Sequence, residues 1–139
     1  MSAVLVVLAA AFALFRLFGE SQFAARCALA AMLVFTGCAH FVPVVRDTMV
    51  RMVPPELPNP GAIVFLTGIL EILGAVGLVI PQTRRGAGIA LCFFFLAVLP
   101  ANIHAAKAGI LINGQPATAL WLRIPIQFLF IWLAWWSTR

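Results

Sequence analysis

The side chains able to do chemistry are few, and they lie where they should be costly. Glu71 sits midway along the apolar run Gly61–Ile80. Arg123 comes about two turns into another such run, Ala117–Trp136, within Leu120-Trp121-Leu122-Arg123-Ile124-Pro125-Ile126-Gln127. In hydrocarbon, an ionised side chain at a helix centre costs about 2.5–3.5 kcal/mol on insertion scales, so one that is kept there needs a partner or a task. Gln127 shares the helical face of Arg123. His40 ends the run Phe23–Phe41 with Thr36 one turn behind it, and Asn102 and His104 end Gly86–His104 just after Pro100. Thr67, Glu71 and Gly74 form one stripe, whose small member lets a second helix come close. Arg123, Gln127 and Asn102 are the candidate hydrogen-bond donors, and His40 and Glu71 the candidate proton exchangers. Two readings of Glu71 with Arg123 stay open. They are an ion pair that only sets helix register, or a pair that also touches a ligand. His40 is likewise either functional or a hydrogen-bonded anchor. His104 is read as interfacial, and Thr36 as bonded back to its own helix.

These residues are embedded in a chain of 139 residues, of which 64% are apolar and 9% charged, with a mean hydropathy of +1.10. Soluble domains run at about 45–50% apolar and about 25% charged. A soluble enzyme, a disordered tail and a disulfide-stapled module are thereby excluded, and the expected solvent is lipid. The net charge of +5 does not indicate nucleic acid, because the nine Lys and Arg are scattered and only Arg84-Arg85 are adjacent. Cys27, Cys38 and Cys92 lie in apolar runs without a C-x-x-C and read as small hydrophobes. No metal is expected, because no i, i+3 or i, i+4 ligand pair unites His40, Glu71 and His104. No nucleotide is expected either, since phosphate-loop and dinucleotide fingerprints are missing.

The predicted architecture is all-α, a polytopic membrane helix bundle forming one domain over 1–139. A bilayer core about 30 Å thick takes about 20 helical residues. The spans expected are 1–18, 23–41, 61–80, 86–104 and 117–136. The first has no basic stretch ahead of it, unlike a signal peptide, and reads as a retained helix. Arg16, Arg26, Arg84, Arg85 and Arg139 fall on one side, and Arg46, Arg51 and Lys107 on the other. The positive-inside rule then places the N-terminus outside and the C-terminus in the cytoplasm. In the connection 42–60, Val44, Val45, Met49, Met52 and Val53 share a face, which predicts an interfacial helix. Four prolines between Pro54 and Pro60 then predict a stiff extended segment. The connection is either a surface linker or a lid. Ala108–Pro116 reads as a turn around Asn113-Gly114, and the tryptophans of the last span as an aromatic belt.

Alternating spans put the ends of the second and fourth and the starts of the third and fifth on one side. His40, Asn102 and Arg123 then lie toward that side, with Glu71 and Gln127 nearer the middle. One polar pocket is predicted in the half of the bilayer next to the 42–60 connection. Pro100 cannot bond the carbonyl of Leu96, nor Pro125 that of Trp121, so kinks are expected in its wall.

The ordered set Thr36-Gly37-Cys38-Ala39-His40-Phe41, Met52-Val53-Pro54-Pro55-Glu56-Leu57-Pro58, Thr67-Gly68-Ile69-Leu70-Glu71-Ile72-Leu73-Gly74, Pro100-Ala101-Asn102-Ile103-His104 and Leu122-Arg123-Ile124-Pro125-Ile126-Gln127 resembles the DoxX family of small membrane proteins. The resemblance spans roughly Arg26 to Trp136. It implies a four-helix core preceded here by one added transmembrane helix, and polar positions at His40, Glu71, Asn102, Arg123 and Gln127. It also implies a quinone-linked oxidoreductase subunit holding a small lipophilic ligand, with a quinone as the expected one. Some distant relatives act instead as membrane chaperones, so a non-catalytic scaffold for a partner membrane protein is the alternative. The partners this reading allows are the bilayer, a redox or other membrane protein, and a second copy of the chain.

Overall fold

The computed structural model describes residues 2–112 and 114–139, among which the elements are six helices and one short hairpin. In chain order they are α1 (Ser2–Arg16), α2 (Ser21–Ala39), α3 (Pro43–Met52), α4 (Pro60–Val79), α5 (Arg84–Lys107), β1 (Leu111–Ile112), β2 (Gln115–Pro116) and α6 (Leu120–Trp136). Three of them, α2, α4 and α5, are long and apolar enough to cross a membrane, while α1 and α6 are shorter apolar helices. Large apolar side chains face outward along all of these helices, including Leu14, Phe35, Leu66, Leu73, Phe93 and Phe128. That distribution suits a hydrocarbon surround, in which every backbone polar group of a span must be satisfied within its own helix.

The helices form a closed ring. α2 packs on α4, α4 on α5, α5 on α6, and α6 returns to α2, with α1 laid against α2. Close approach depends on glycines at the crossings. A Cβ on Gly68 of α4 would stand 2.6 Å from the Cβ of His40, and one on Gly37 of α2 would stand 2.9 Å from Ile72. Carbon atoms in contact prefer about 3.5–4.0 Å, so only glycine allows α2 and α4 this separation. Gly74 does the same where Leu91 of α5 crosses α4, at 2.6 Å.

Close packing fills one half of the ring. Leu29 and Leu33 of α2, Ala75 and Leu78 of α4, Leu91 and Phe95 of α5, and Phe130 and Ala134 of α6 form its core. Apart from Leu33, these residues come from the middle of their helices or the halves remote from α3. At that far end Arg26 donates from Nη1 to the carbonyl of Ser137 at 2.7 Å, closing the C-terminus of α6 rather than reaching outward.

The connection between α2 and α4 differs from expectation in two respects. The buried face of α3 is built on Thr48, with Val45, Met49 and Met52 beside it, while Val44 is largely exposed. Val45, Thr48, Met49 and Met52 follow i, i+3, i+4, i+7, which fits a helical stripe better than Val44 does. Thr48 is tolerated there because its hydroxyl bonds to the Val44 carbonyl at 3.2 Å. The proline segment is not extended throughout, because the Leu57 N–H donates to the Pro54 carbonyl and closes a turn. Asn59 follows with a φ of 51°, ahead of Pro60 at the start of α4. Between α5 and α6 the chain makes a hairpin, with Leu111 opposite Pro116. The Ala117 N–H is drawn to the Ile110 carbonyl, so α6 begins at Leu120 instead of Ala117. Gly114 has the positive φ of 75° that such a turn uses. Asn113, expected in the same turn, lies outside the described residues.

Candidate functional site

The less filled half of the ring, next to α3, holds a half-open cavity of about 880 Å³. Its wall is mainly apolar, from Met32 and Leu33 through Leu70 and Phe94 to Phe130, and α3 and the proline turn contribute Met49, Met52, Val53 and Leu57. His40, Glu71, Asn102, Arg123 and Gln127 all line it, together with Thr36, Thr67 and Gly74. His104 is not in the lining and sits half-buried in the last turn of α5. Nor do the four tryptophans line it. Trp121 is exposed, and Trp132 and Trp136 stack on each other at 5.1 Å.

The polar residues form two separate groups. In the first, the Gly37–Gly68 crossing brings α2 against α4 and places His40 beside Glu71, Nε2 to Oε1 at 3.5 Å. The Thr36 hydroxyl meets the other carboxylate oxygen, Oε2, and also lies 3.1 Å from the Met32 carbonyl. His40 Nδ1 stands 2.8 Å from the Val64 carbonyl. A carbonyl only accepts, so Nδ1 carries a hydrogen and donates it. The Thr67 hydroxyl supports the same carbonyl at 3.0 Å. With Nδ1 committed, Nε2 is the nitrogen left to face the carboxyl group of Glu71.

In the second group, Arg123 donates from Nη1 to Asn102 Oδ1 at 2.7 Å. The turn of α6 that carries Arg123 also carries Gln127, whose Nε2 donates to the Phe95 carbonyl of α5. That acceptor is one residue before the Leu96 carbonyl that Pro100 frees. A carbonyl has two lone pairs, so Phe95 can take the amide in addition to a helical bond. Arg123 keeps only 4% of its surface, and its Nε is buried without a partner.

The expected ion pair between Glu71 and Arg123 is therefore not formed. Among the described residues the ion pair of Glu71 is with His40, and Arg123 has no carboxylate within 4.0 Å. The reason is the order of helices in the ring. α4 neighbours α2 and α5, and α6 neighbours α5 and α2, so Glu71 and Arg123 reach the cavity from non-adjacent helices. Thr48 of α3, and the part played by Gly37 and Gly68, were not singled out in the sequence. The matching small residues on two apolar runs were the available signal for that crossing. Thr36 does more than bond its own helix, since it also contacts Glu71. Of the cysteines, Cys38 is exposed on the outer face of α2, whereas Cys27 and Cys92 are half-buried.

Fold and cavity define a bundle of apolar helices, three of them able to cross a membrane, around a chamber with a polar wall at one end. By sequence the chain belongs to a family described as Domain of unknown function (DUF8561), whose match covers residues 29–138. The match runs from within α2 to the residues just after α6 and leaves α1 outside it. No curated protein and no solved structure matches the chain.

Proposed function

We propose that this chain is a DoxX-like integral membrane protein that binds a small lipophilic ligand in the cavity. Its ring α2–α4–α5–α6 is the four-helix core, and α1 is an added transmembrane helix. The observation that carries this reading is the composition of the cavity. About 880 Å³ of mostly apolar space meets a small set of hydrogen-bonding groups at one end. Sites that hold small lipophilic molecules have this composition: apolar walls take up the body, and a few placed polar groups orient the head. The three span-length helices and the outward-facing Leu and Phe side chains support a position within the bilayer. From there a lipid-soluble molecule enters laterally without crossing water. The excess of Arg16, Arg26, Arg84, Arg85 and Arg139 supports an N-terminus outside and a cytoplasmic C-terminus.

The DoxX resemblance adds quinone-linked oxidation as the activity to test. A quinone takes up two electrons and two protons on reduction. The electrons require a redox partner protein, and His40 and Glu71 stand together in the cavity wall as groups able to exchange protons. Gentle extraction followed by native mass spectrometry should retain a bound lipophile, and quinone titration with candidate electron donors tests turnover. Protein that carries no lipophile and shows no quinone-dependent turnover overturns the reading. One observation favours the alternative, a non-catalytic scaffold for a partner membrane protein. Both carboxyl oxygens of Glu71 already have protein partners, as a purely structural clasp between α2 and α4 would. Double replacement His40→Asn with Glu71→Gln keeps hydrogen-bonding capacity without the titratable pair. Unaltered function in that variant favours the scaffold.

A further inference from the structure

The guanidinium in the cavity wall has no carboxylate against it, and that gap identifies a ligand class. The sequence contains four acidic side chains, Glu20, Asp47, Glu56 and Glu71. Glu20, Asp47 and Glu56 are exposed and line no part of the cavity. Glu71 has His40 at one carboxyl oxygen and Thr36 at the other, and no salt bridge joins it to Arg123. Arg123 cannot lose its proton, and its hydrogen-bond acceptor among the described residues, Asn102, is neutral. A full positive charge thus stands in the wall of a mainly apolar chamber with no carboxylate of the described residues within 4.0 Å. An unpaired buried charge is among the most unfavourable arrangements a fold can keep.

The geometry of the guanidinium narrows the counter-group. Its bond to Asn102 uses Nη1, while Nε is buried without a partner and Nη2 donates to none of the described residues. Nε and Nη2 form the guanidinium edge whose two N–H bonds run parallel, matching the two oxygens of a carboxylate.

We infer that the cavity takes a long-chain amphiphile with a carboxylate head, seated on the Nε–Nη2 edge of Arg123 with its tail along the apolar wall. This rests on the reading of the cavity as a lipophile site and narrows that site's ligand. A neutral quinone lacks the charge that Arg123 leaves uncompensated, and a phosphate brings more charge and a tetrahedral head.

The test is competition on the purified full chain in mild detergent, above the pKa of the acid. Palmitic acid is offered in equal amount with methyl palmitate, hexadecyl phosphate or decylubiquinone, and the bound ratio is read by native mass spectrometry. Palmitic acid should exceed methyl palmitate and decylubiquinone by about ten- to hundred-fold, the range for hydrogen bonds to a charged group. It should also exceed hexadecyl phosphate. Arg123→Met should bring the acid-to-ester ratio near one, and Arg123→Lys should leave it between the two. Equal binding of acid and ester by the wild-type chain, or preference for the phosphate or the quinone, overturns the carboxylate assignment and leaves the lipophile site standing. Binding of none of the four overturns both. The wild-type competition stands even if a variant fails to fold.

Discussion

Replacing Arg123 by Met separates two accounts of the same buried charge. Had Arg123 neutralised Glu71, its removal would strand a carboxylate in the membrane and cost about 3–5 kcal/mol. In the structure it neutralises nothing, and what is lost is one hydrogen bond to Asn102. A hydrogen bond to a charged group contributes about 1.5–3 kcal/mol. Against that stands the desolvation of a guanidinium with 4% of its surface left, a penalty of several kcal/mol after relaxation. The two terms nearly cancel, so Arg123→Met should leave stability unchanged or raise it by about 2 kcal/mol. Adding Asn102→Leu removes the orphaned acceptor as well, and the double variant should be more stable than wild type by about 1–4 kcal/mol. Equilibrium unfolding in detergent micelles measures these differences on delipidated protein. A ligand-loaded wild type would gain apparent stability by mass action that the variant lacks. A loss of 3 kcal/mol or more for Arg123→Met in delipidated protein refutes the charge accounting.

Other perturbations address the remaining parts of the site. Gly68→Ala puts a methyl 2.6 Å from the His40 Cβ. It should destabilise by about 1–3 kcal/mol through overpacking and separate His40 from Glu71, read as a lowered unfolding midpoint. Glu71→Gln should cost less than Glu71→Leu, because Leu leaves Thr36 and His40 without their partner, worth about 1–3 kcal/mol per buried group. Equal losses for the two would mean that the carboxyl makes no specific bonds. For orientation, single cysteines introduced at Gly114 and Gln82 in a background without Cys27, Cys38 and Cys92 should label from opposite sides. Gly114→Cys should react with an impermeant reagent in whole cells and Gln82→Cys only after lysis.

The apolar runs are legible in sequence because a helix in hydrocarbon must satisfy its own backbone and present apolar side chains on nearly every face. That requirement is local, and composition over about 20 residues is enough to read it. The cost of placing Glu71, Arg123 and Gln127 inside such runs is local too, which is why they stood out without coordinates. Which of them meet is not local. It depends on the order of helices around the ring, and so on the close crossings at Gly37, Gly68 and Gly74. These draw α4 between α2 and α5 and deliver Glu71 to His40 instead of to Arg123. The face of α3 was similarly decided by contact with α4 and α5, since its most buried residue is the polar Thr48, which hydropathy does not mark. The sequence alone determined an apolar helical chain with runs long enough to cross a membrane and a handful of costly polar groups within them. Tertiary structure alone decided that Glu71 meets His40 while Arg123 has no carboxylate beside it, because pairing is a property of which side chains become neighbours.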